Sequence, residues 1–301
     1  MKFSIVTPCF NAERWIAETI ESIFSQEGDF SIEYIIRDGG STDNTIEIIK
    51  KYEETLKHGD YPIRCKNISL SWVSEKDAGM YDAINKGFAT ATGDVYAYIN
   101  ADDLYLPGAL RSIAQTFEAF PKIEWLKGTS GQIDEDSALV RHGKCFLYDQ
   151  VWLARGIYGM QAYFVEQDSV FWRAGLWKKI SAIPTSYRVA GDYWLWTQFA
   201  KFAPLWSLNV EVSMFRKSSA QQSKQIAKYK AEQRDIQSRL VRHALLLQRI
   251  FFSLWSRCLP HAQSVFLFLY PIFFPKQSSL PYLTVTNGKI EKKKARSFLV
   301  A

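Results

Sequence analysis

Two adjacent carboxylates, Asp102 and Asp103, stand just past the hydrophobic run 95–99, with only Asn100 and Ala101 between. Carboxylates at the end of a buried strand lose hydration and repel each other unless a cation or hydrogen-bond donors meet them. One aspartate could begin a helix, because Pro107 follows and proline favours the first helical turn. The second is then unexplained. Such a pair could instead hold Mg2+ or Mn2+, hard cations that take a few carboxylates and complete their shell from phosphate and water. Other hydrophobic runs also end in polar residues: Thr7 with Pro8, Asp38 before Gly39 and Gly40, then Glu75 and Asp77. A nucleoside diphosphate sugar would use this rim whole. Aspartates accept from base N–H groups and ribose hydroxyls, and the diphosphate, which carboxylates repel, is reached through the cation. The sequence has no P-loop and no GxGxxG phosphate cradle. No Ser-His-Asp or Cys-His arrangement is evident, and a single in-line displacement needs a base but no protein nucleophile.

The elements that must position this rim alternate. "KFSIVTP", "IEYIIRDGG", "LSWVSE" and "DVYAYIN" read as strands. "AERWIAETIESIFSQ", "TDNTIEIIKKYEETL" and "MYDAINKGFATAT" lie between them as amphipathic helices. This alternation predicts right-handed crossovers and a mostly parallel α/β sheet, with ligands bound outside the carboxyl ends of its strands. From 122 to 215, "KIEWLKG", "KCFLYD" and "PLWSLNVEVSMFR" read as strands and "VWLARGIYG" as a short helix. "DSVFWRAGLWKKI" reads as a strand turning into a helix, and "AGDYWLWTQFAKF" as an aromatic helix. Its Trp194 and Trp196 suit core packing better than sugar stacking. A polar loop "SSAQQSKQ" and a long helix from Lys224 to Phe252 follow.

Most of residues 3–110 resembles family 2 glycosyltransferases of the GT-A fold. The resemblance rests on "IVTPCFNAERWIAETIESI", "IIRDGGSTDNT" and "SEKDAGMYDAINKGFATATGDVYAYINADD", and more weakly on "QDSVFWR" and "AGDYWLW". It implies a Rossmann-like, mostly parallel sheet flanked by helices over residues 1–215. The nucleotide-sugar half would span about 1–110 and the acceptor half about 111–215, with a basic, helical extension over 216–301. It also implies metal-dependent, inverting transfer of a hexosyl group, from a UDP-sugar to an acceptor hydroxyl, in cell-surface polysaccharide or glycan synthesis. Placed residue by residue, it puts Thr7, Pro8 and Glu13 at the first strand end beside the nucleotide and Asp38 at the nucleobase. Lys76, Asp77 and Gly79 fall on the loop beside base and ribose. Asn100, Ala101 and Asp102 stand at the family's D-x-D position, with Asp102 on Mg2+ or Mn2+, and Asn100 and Asp103 toward the ribose. Asp192 stands at the catalytic base, and Gln222 and Ser223 on a polar loop near the diphosphate. The sequence departs from the pattern at Asn100, where many relatives carry aspartate, and at Gly191, where many carry glutamate before the base.

The charge is divided. From Arg216 onward there are 16 lysines and arginines against 3 acidic residues, and the first 215 residues hold 21 against 28. A basic tail meets phosphate, of nucleic acid or of an anionic membrane. The acidic rim disfavours nucleic acid, and no base-reading motif accompanies the tail. "RHALLLQRIFFSLWSR" mixes arginine with Leu, Phe and Trp as an interfacial helix does, and 258–275 is apolar but broken by prolines. The expectation is peripheral contact with the cytoplasmic membrane face and a glycan or lipid-linked acceptor. The four cysteines form no CxxC pair, which suits a reducing compartment and suggests neither zinc nor a disulfide framework. Two other classes fit an α/β nucleotide-binding chain. One is a nucleotidyltransferase, which would want a basic, glycine-rich loop after the first strand. The other is a non-catalytic sugar- or nucleotide-binding protein.

Overall fold

The structure, a computed structural model, describes residues 1–159, 164–218, 226–240, 254, 280–295 and 299–300. The chain runs β1 (Lys2–Cys9), α1 (Ile16–Phe24), β2 (Gly28–Asp38), α2 (Thr45–His58), β3 (Cys65–Ser74), α3 (Met80–Thr90) and β4 (Val95–Tyr98). It continues through β5 (Leu104–Tyr105), α4 (Ala109–Ala119), β6 (Trp125–Ile133), β7 (Leu139–Arg141), β8 (Cys145–Phe146) and α5 (Gln150–Ala154). A short 3-10 turn at Gln167–Ser169 leads to β9 (Val170–Arg173), α6 (Ala174–Lys178), α7 (Gly191–Phe199) and β10 (Trp206–Arg216). α8 (Ile226–Leu240), β11 (Pro281–Thr286), β12 (Lys289–Lys294) and β13 (Leu299–Val300) complete the described elements.

The central sheet has the order β12-β11-β10-β6-β9-β4-β1-β2-β3. β1 pairs parallel with β2 and with β4, β2 with β3, and β10 with β6. Only β9, β12 and short edge pairs run antiparallel. Successive strands step outward from β1 to β2 to β3, and the chain then returns to place β4 on the other side of β1. That reversal opens a crevice beyond the carboxyl ends of β1 and β4, where open α/β sheets bind ligands. The Asn100–Asp103 turn lies at its rim.

Strand geometry sends alternate side chains of β1 to opposite faces. Ile5 enters the core beneath α1, α2 and α4, and Val6 enters the core beneath α3, α5 and α7. Burial on both faces explains the near-continuous apolar run "FSIV". α3 rests directly on β1, since a Cβ at Gly87 would come within 2.6 Å of the Val6 side chain. Trp125, Trp152, Trp172, Trp177 and Trp196 fill the second core. The Trp125 and Trp196 rings stack with centroids 5.8 Å apart, and Trp172 meets Trp196 edge-on. Trp196 therefore packs inside as expected, and Trp194 is half-buried against the same core.

Several local expectations are corrected. Helix α1 begins at Ile16 rather than Ala12, after a turn in which the Ile16 amide donates to the Ala12 carbonyl. Pro107 does not open α4; Gly108, at φ 77, intervenes before Ala109. The larger correction concerns 216–301, expected to be a helical extension. α8 is helical, but residues 281–286 and 289–294 form a hairpin that lengthens the sheet by pairing β11 parallel to β10. Asn287 and Gly288, at φ 51 and 72, make the left-handed pair that a tight two-residue hairpin turn requires. Leu283 is fully buried in the first core, and the Lys292 ammonium lies over the Trp206 ring at 4.8 Å. Part of the basic tail is thus a lysine-rich edge strand, a composition that discourages edge-to-edge pairing. The expected helix beyond 240, the segment 258–275, and Gln222 and Ser223 lie outside the described residues. Among the described residues, no helix is long and apolar enough to cross a membrane.

Candidate active site

Two loops at the carboxyl ends of β1 and β2 are laced together by side chains. The Asn11 amide donates to Ser41 Oγ at 2.7 Å, the Ala12 amide to Thr45 Oγ1 at 2.8 Å, and the Glu13 amide to Asp43 Oδ2 at 3.1 Å. In return, the Thr42 amide donates to Asn11 Oδ1 at 2.9 Å and the Asn44 amide to Glu13 Oε2 at 2.9 Å. Asp38 is the keystone of the second loop. Its Oδ2 accepts from the amides of Gly40 and Ser41 at 3.0 and 2.9 Å and from Ser74 Oγ at 2.6 Å. Its Oδ1 accepts from the Ser41 hydroxyl. Burial works to raise the Asp38 carboxyl, but these donors outweigh it and hold the group below the usual carboxylate range. Asp38, expected at the nucleobase, thus already spends most of its acceptor capacity on its own loop.

The turn after β4 separates the two adjacent aspartates. Asp103 is fully buried. Its Oδ1 accepts the Arg216 amide at 2.9 Å and its Oδ2 accepts Asn100 Nδ2 at 3.1 Å. Burial, then the charges of Asp102 and Asp168, push its carboxyl well above the usual range. The placement of Asp103 beside the ribose is therefore corrected: it latches the turn from inside. Arg216, also fully buried, completes the latch. Its Nε donates to the Asp102 carbonyl at 2.9 Å, Nη1 to the Asp134 carbonyl at 3.1 Å, and Nη2 to Glu18 Oε2 at 2.8 Å. Asp168, in the segment "QDSVFWR", is a second buried carboxylate and accepts from Ser130 and Ser213.

With Asp103 turned inward, Asp102 is the half-buried carboxylate left at the rim. Two residues before it, Asn100 Oδ1 is buried with no hydrogen-bond partner among the described residues. An orphaned amide oxygen and a nearby carboxylate make an oxygen-only donor pair. Mg2+ and Mn2+ favour such pairs when substrate phosphates supply the remaining oxygens. Among the described residues, no group of three or more His, Cys, Asp or Glu could hold a metal alone. The residues present therefore fit a cation shared with a bound diphosphate.

Asp192 lies in the first turn of α7. Its amide donates to the Tyr81 hydroxyl at 3.2 Å, and the hydroxyls of Tyr81 and Tyr229 both hydrogen-bond its carboxylate. Burial pushes the carboxyl up to about 6, against the amides and tyrosines that favour its anion. Tyr98, just before the acidic turn, has its hydroxyl raised by burial and then by Tyr81 and Asp192, which places Asp192 near the end of β4. A carboxylate with such a proton affinity can take a proton near neutral pH.

Other expected residues line the loop between β3 and α3. Asp77 Oδ1 accepts the Gly79 amide at 2.7 Å, and a Cβ on Gly39 would sit 3.0 Å from Asp77 Oδ2, which sets this loop against the Asp38 turn. Gly79, at φ 112, leaves room for Arg188 Nη1, which a Cβ would meet at 2.8 Å. Lys76 is exposed beside Gly40. Thr7 is not at the rim, because the pleat of β1 turns its side chain into the core, where it accepts from Tyr34 at 3.0 Å. Pro8 is buried and Glu13 is engaged with Asn44. Sequence reading missed Arg216, Tyr81, Tyr229 and Glu232. Arg216 left a signal as a charge closing the hydrophobic run of β10, and Tyr229 as part of the apolar face of the helix that follows.

A mostly parallel sheet with a switch-point crevice, a half-buried Asp102 in the turn after β4 and a protonatable Asp192 at the start of α7 has the build of a GT-A glycosyltransferase. Residues 4–163 match glycosyl transferase family 2, and the chain belongs to that family. It is 30% identical over 193 residues to a PGL/p-HBAD biosynthesis glycosyltransferase of Mycobacterium bovis, covering 64% of this chain and 66% of that protein. An uncharacterized glycosyltransferase of Nostoc sp. is 33% identical over 118 residues, covering 39% of this chain. The matched stretch spans 33% of the Nostoc relative and 66% of the mycobacterial one. Among solved structures, S. aureus TarS 1–349 with UDP-GlcNAc superposes at a TM-score of 0.58 and 17% identity, covering 91% of this chain and 80% of that one. The mannosyltransferase PcManGT of Pyrobaculum calidifontis, with GDP-Man and Mn2+, does so at 0.57 and 16%, covering 91% and 72%. At these identities the likeness speaks for the fold.

Proposed function

We propose that this protein is an inverting glycosyltransferase that moves a hexosyl group from a nucleoside diphosphate sugar, a UDP-sugar, to an acceptor hydroxyl. The observation that carries this reading is Asp192. It is a carboxylate held between the hydroxyls of Tyr81 and Tyr229, with its carboxyl raised to about 6. In the reaction, Asp192 takes the proton of the acceptor hydroxyl as that oxygen attacks the anomeric carbon from the face opposite the diphosphate. Asp102 and Asn100 Oδ1 would hold Mg2+ or Mn2+. Bound there, the cation offsets the charge that gathers on the departing diphosphate. Lys76, Asp77 and Gly79 form the donor loop, and Pro8, Glu13 and Asp38 shape the base and ribose side, Asp38 chiefly by ordering its loop. The solved neighbours with UDP-GlcNAc and with GDP-Man and Mn2+ support a nucleotide-sugar donor and a divalent cation.

The test is nucleoside diphosphate release from a panel of nucleotide sugars, with and without Mn2+. Cation-dependent release from a UDP-sugar supports the reading. Pyrophosphate formed from a nucleoside triphosphate and a sugar phosphate would make the protein a nucleotidyltransferase, and tight binding with no turnover would make it a binding protein.

The acceptor side of the reading is a glycan or lipid-linked hydroxyl reached at the cytoplasmic membrane face, in cell-surface polysaccharide or glycan synthesis. Its support is the mixture of Arg242, Arg249 and Arg257 with Leu, Phe and Trp in the sequence. Cell fractionation at low salt tests it, comparing the full chain with a variant in which these three arginines are glutamine. Equal recovery of both in the soluble fraction would remove the membrane from the proposal.

A further inference from the structure

The backbone leading into α7, which presents Asp192, is held from α8 by the Glu232 side chain. Glu232 Oε2 accepts the amides of Val189 at 3.0 Å and Ala190 at 2.9 Å. Both its oxygens share the Arg188 amide, at 3.0 and 3.1 Å. Amides at a helix start have no partner within the helix, and a carboxylate there also meets the positive end of the helix dipole. Three residues earlier on α8, and so on the same face, Tyr229 hydrogen-bonds the Asp192 carboxylate. Farther along, Gln237 Nε2 donates to the Gly156 carbonyl at 2.8 Å. The Arg188 side chain extends the connection by donating to the Ala78 carbonyl, next to Gly79 on the donor loop.

We propose that Glu232 is a positioning residue for Asp192, holding the first turn of α7 so that the Asp192 carboxylate stays between Tyr81 and Tyr229. This rests on Asp192 as the base. α8 lies beyond residues 4–163, so the family match does not assign this contact. Glu232 touches no substrate in this account. It acts through three backbone amides and one helix turn.

The test uses the full chain as Glu232→Ala, Glu232→Gln and Asp192→Asn, with two readouts. The first is hydrogen–deuterium exchange of peptides covering 186–196. The second is kcat and donor KM for diphosphate release, with UDP-N-acetylglucosamine and GDP-mannose as probes. Glu232→Ala should raise exchange at the α7 start about tenfold and lower kcat about tenfold or more, with donor KM within about twofold, because small displacements of a reacting group are costly. Glu232→Gln keeps one acceptor oxygen and should recover part of both. Wild-type exchange and kcat in Glu232→Ala overturn the proposal. If that variant does not fold, wild-type exchange and kcat in Glu232→Gln overturn it instead. If Asp192→Asn keeps wild-type kcat, the base assignment fails. The exchange result in the Glu232 variants then still reports whether the helix start is held as described.

Discussion

The Arg216 amide donates to Asp103 Oδ1 at 2.9 Å, and the Arg216 side chain doubles back to the carbonyl of Asp102. This contact ties the carboxyl end of β10 to the turn after β4. Two aspartates adjacent in sequence thereby receive opposite jobs, one sealed inside as an acceptor and one left at the rim.

Substitution should separate those jobs. Asp103→Ala leaves the buried Arg216 amide and Asn100 Nδ2 without their acceptor and should cost roughly 2–4 kcal/mol of stability. Asp102→Ala should move the denaturation midpoint less than Asp103→Ala does and lose most turnover. Chemical denaturation beside a diphosphate-release assay reads both. A folded Asp102→Ala protein with wild-type turnover in chelator would end the metal assignment.

Asp192 should set the acid limb of the pH–rate profile. A base acts only when ionised, and burial raises this carboxyl to about 6, so kcat/KM should fall as pH drops through that value, about tenfold per unit below it. Asp192→Asn should lower kcat about a hundredfold or more. A profile flat between pH 5 and about 7 would exclude Asp192 as the titrating base.

Glu33 offers a pH effect on stability away from the site. Burial opposes its charge, but Ser4, the amide and hydroxyl of Thr92, and Lys2 outweigh burial and hold the carboxyl at about 2. The folded state thus keeps the anion where the unfolded chain, near 4.5, takes up a proton. The contribution is present above about 4.5 and is lost as pH falls toward 2. Wild type should exceed Glu33→Gln in thermal midpoint at neutral pH, with the gap closing on acidification. A gap that widens with acid would contradict this.

Leu283→Asp should destabilise the whole domain, because that side chain is fully buried in the first core. The expected cost is about 3 kcal/mol or more. A variant with unchanged stability would show that the hairpin does not share the core.

The first hundred residues were the most legible, because β1 and β4 are buried on both faces and each helix buries one side, while only the edge strand β3 is largely exposed. The resulting hydrophobic periods are strong. The polarity of the rim was legible too, but not the direction of each side chain. Thr7 faces inward because of the pleat, and Asp103 because of Arg216, more than a hundred residues away. Glu232 left no trace because α8 is polar overall, and Tyr229 read only as part of that helix's apolar face; the meaning of both depends on what they touch. The Asn287-Gly288 turn was a readable hairpin signal masked by the surrounding lysine run.

β11 pairs with β10, yet a long stretch of chain lies between them. During synthesis, at about 5–20 residues per second, β10 therefore leaves the ribosome several seconds before its neighbour exists. For that interval the stretch of β10 around Leu208 and Asn209, short of its pairing with β5 at Ser213 and Met214, has an unpaired hydrogen-bonding edge, open to pairing with another nascent chain.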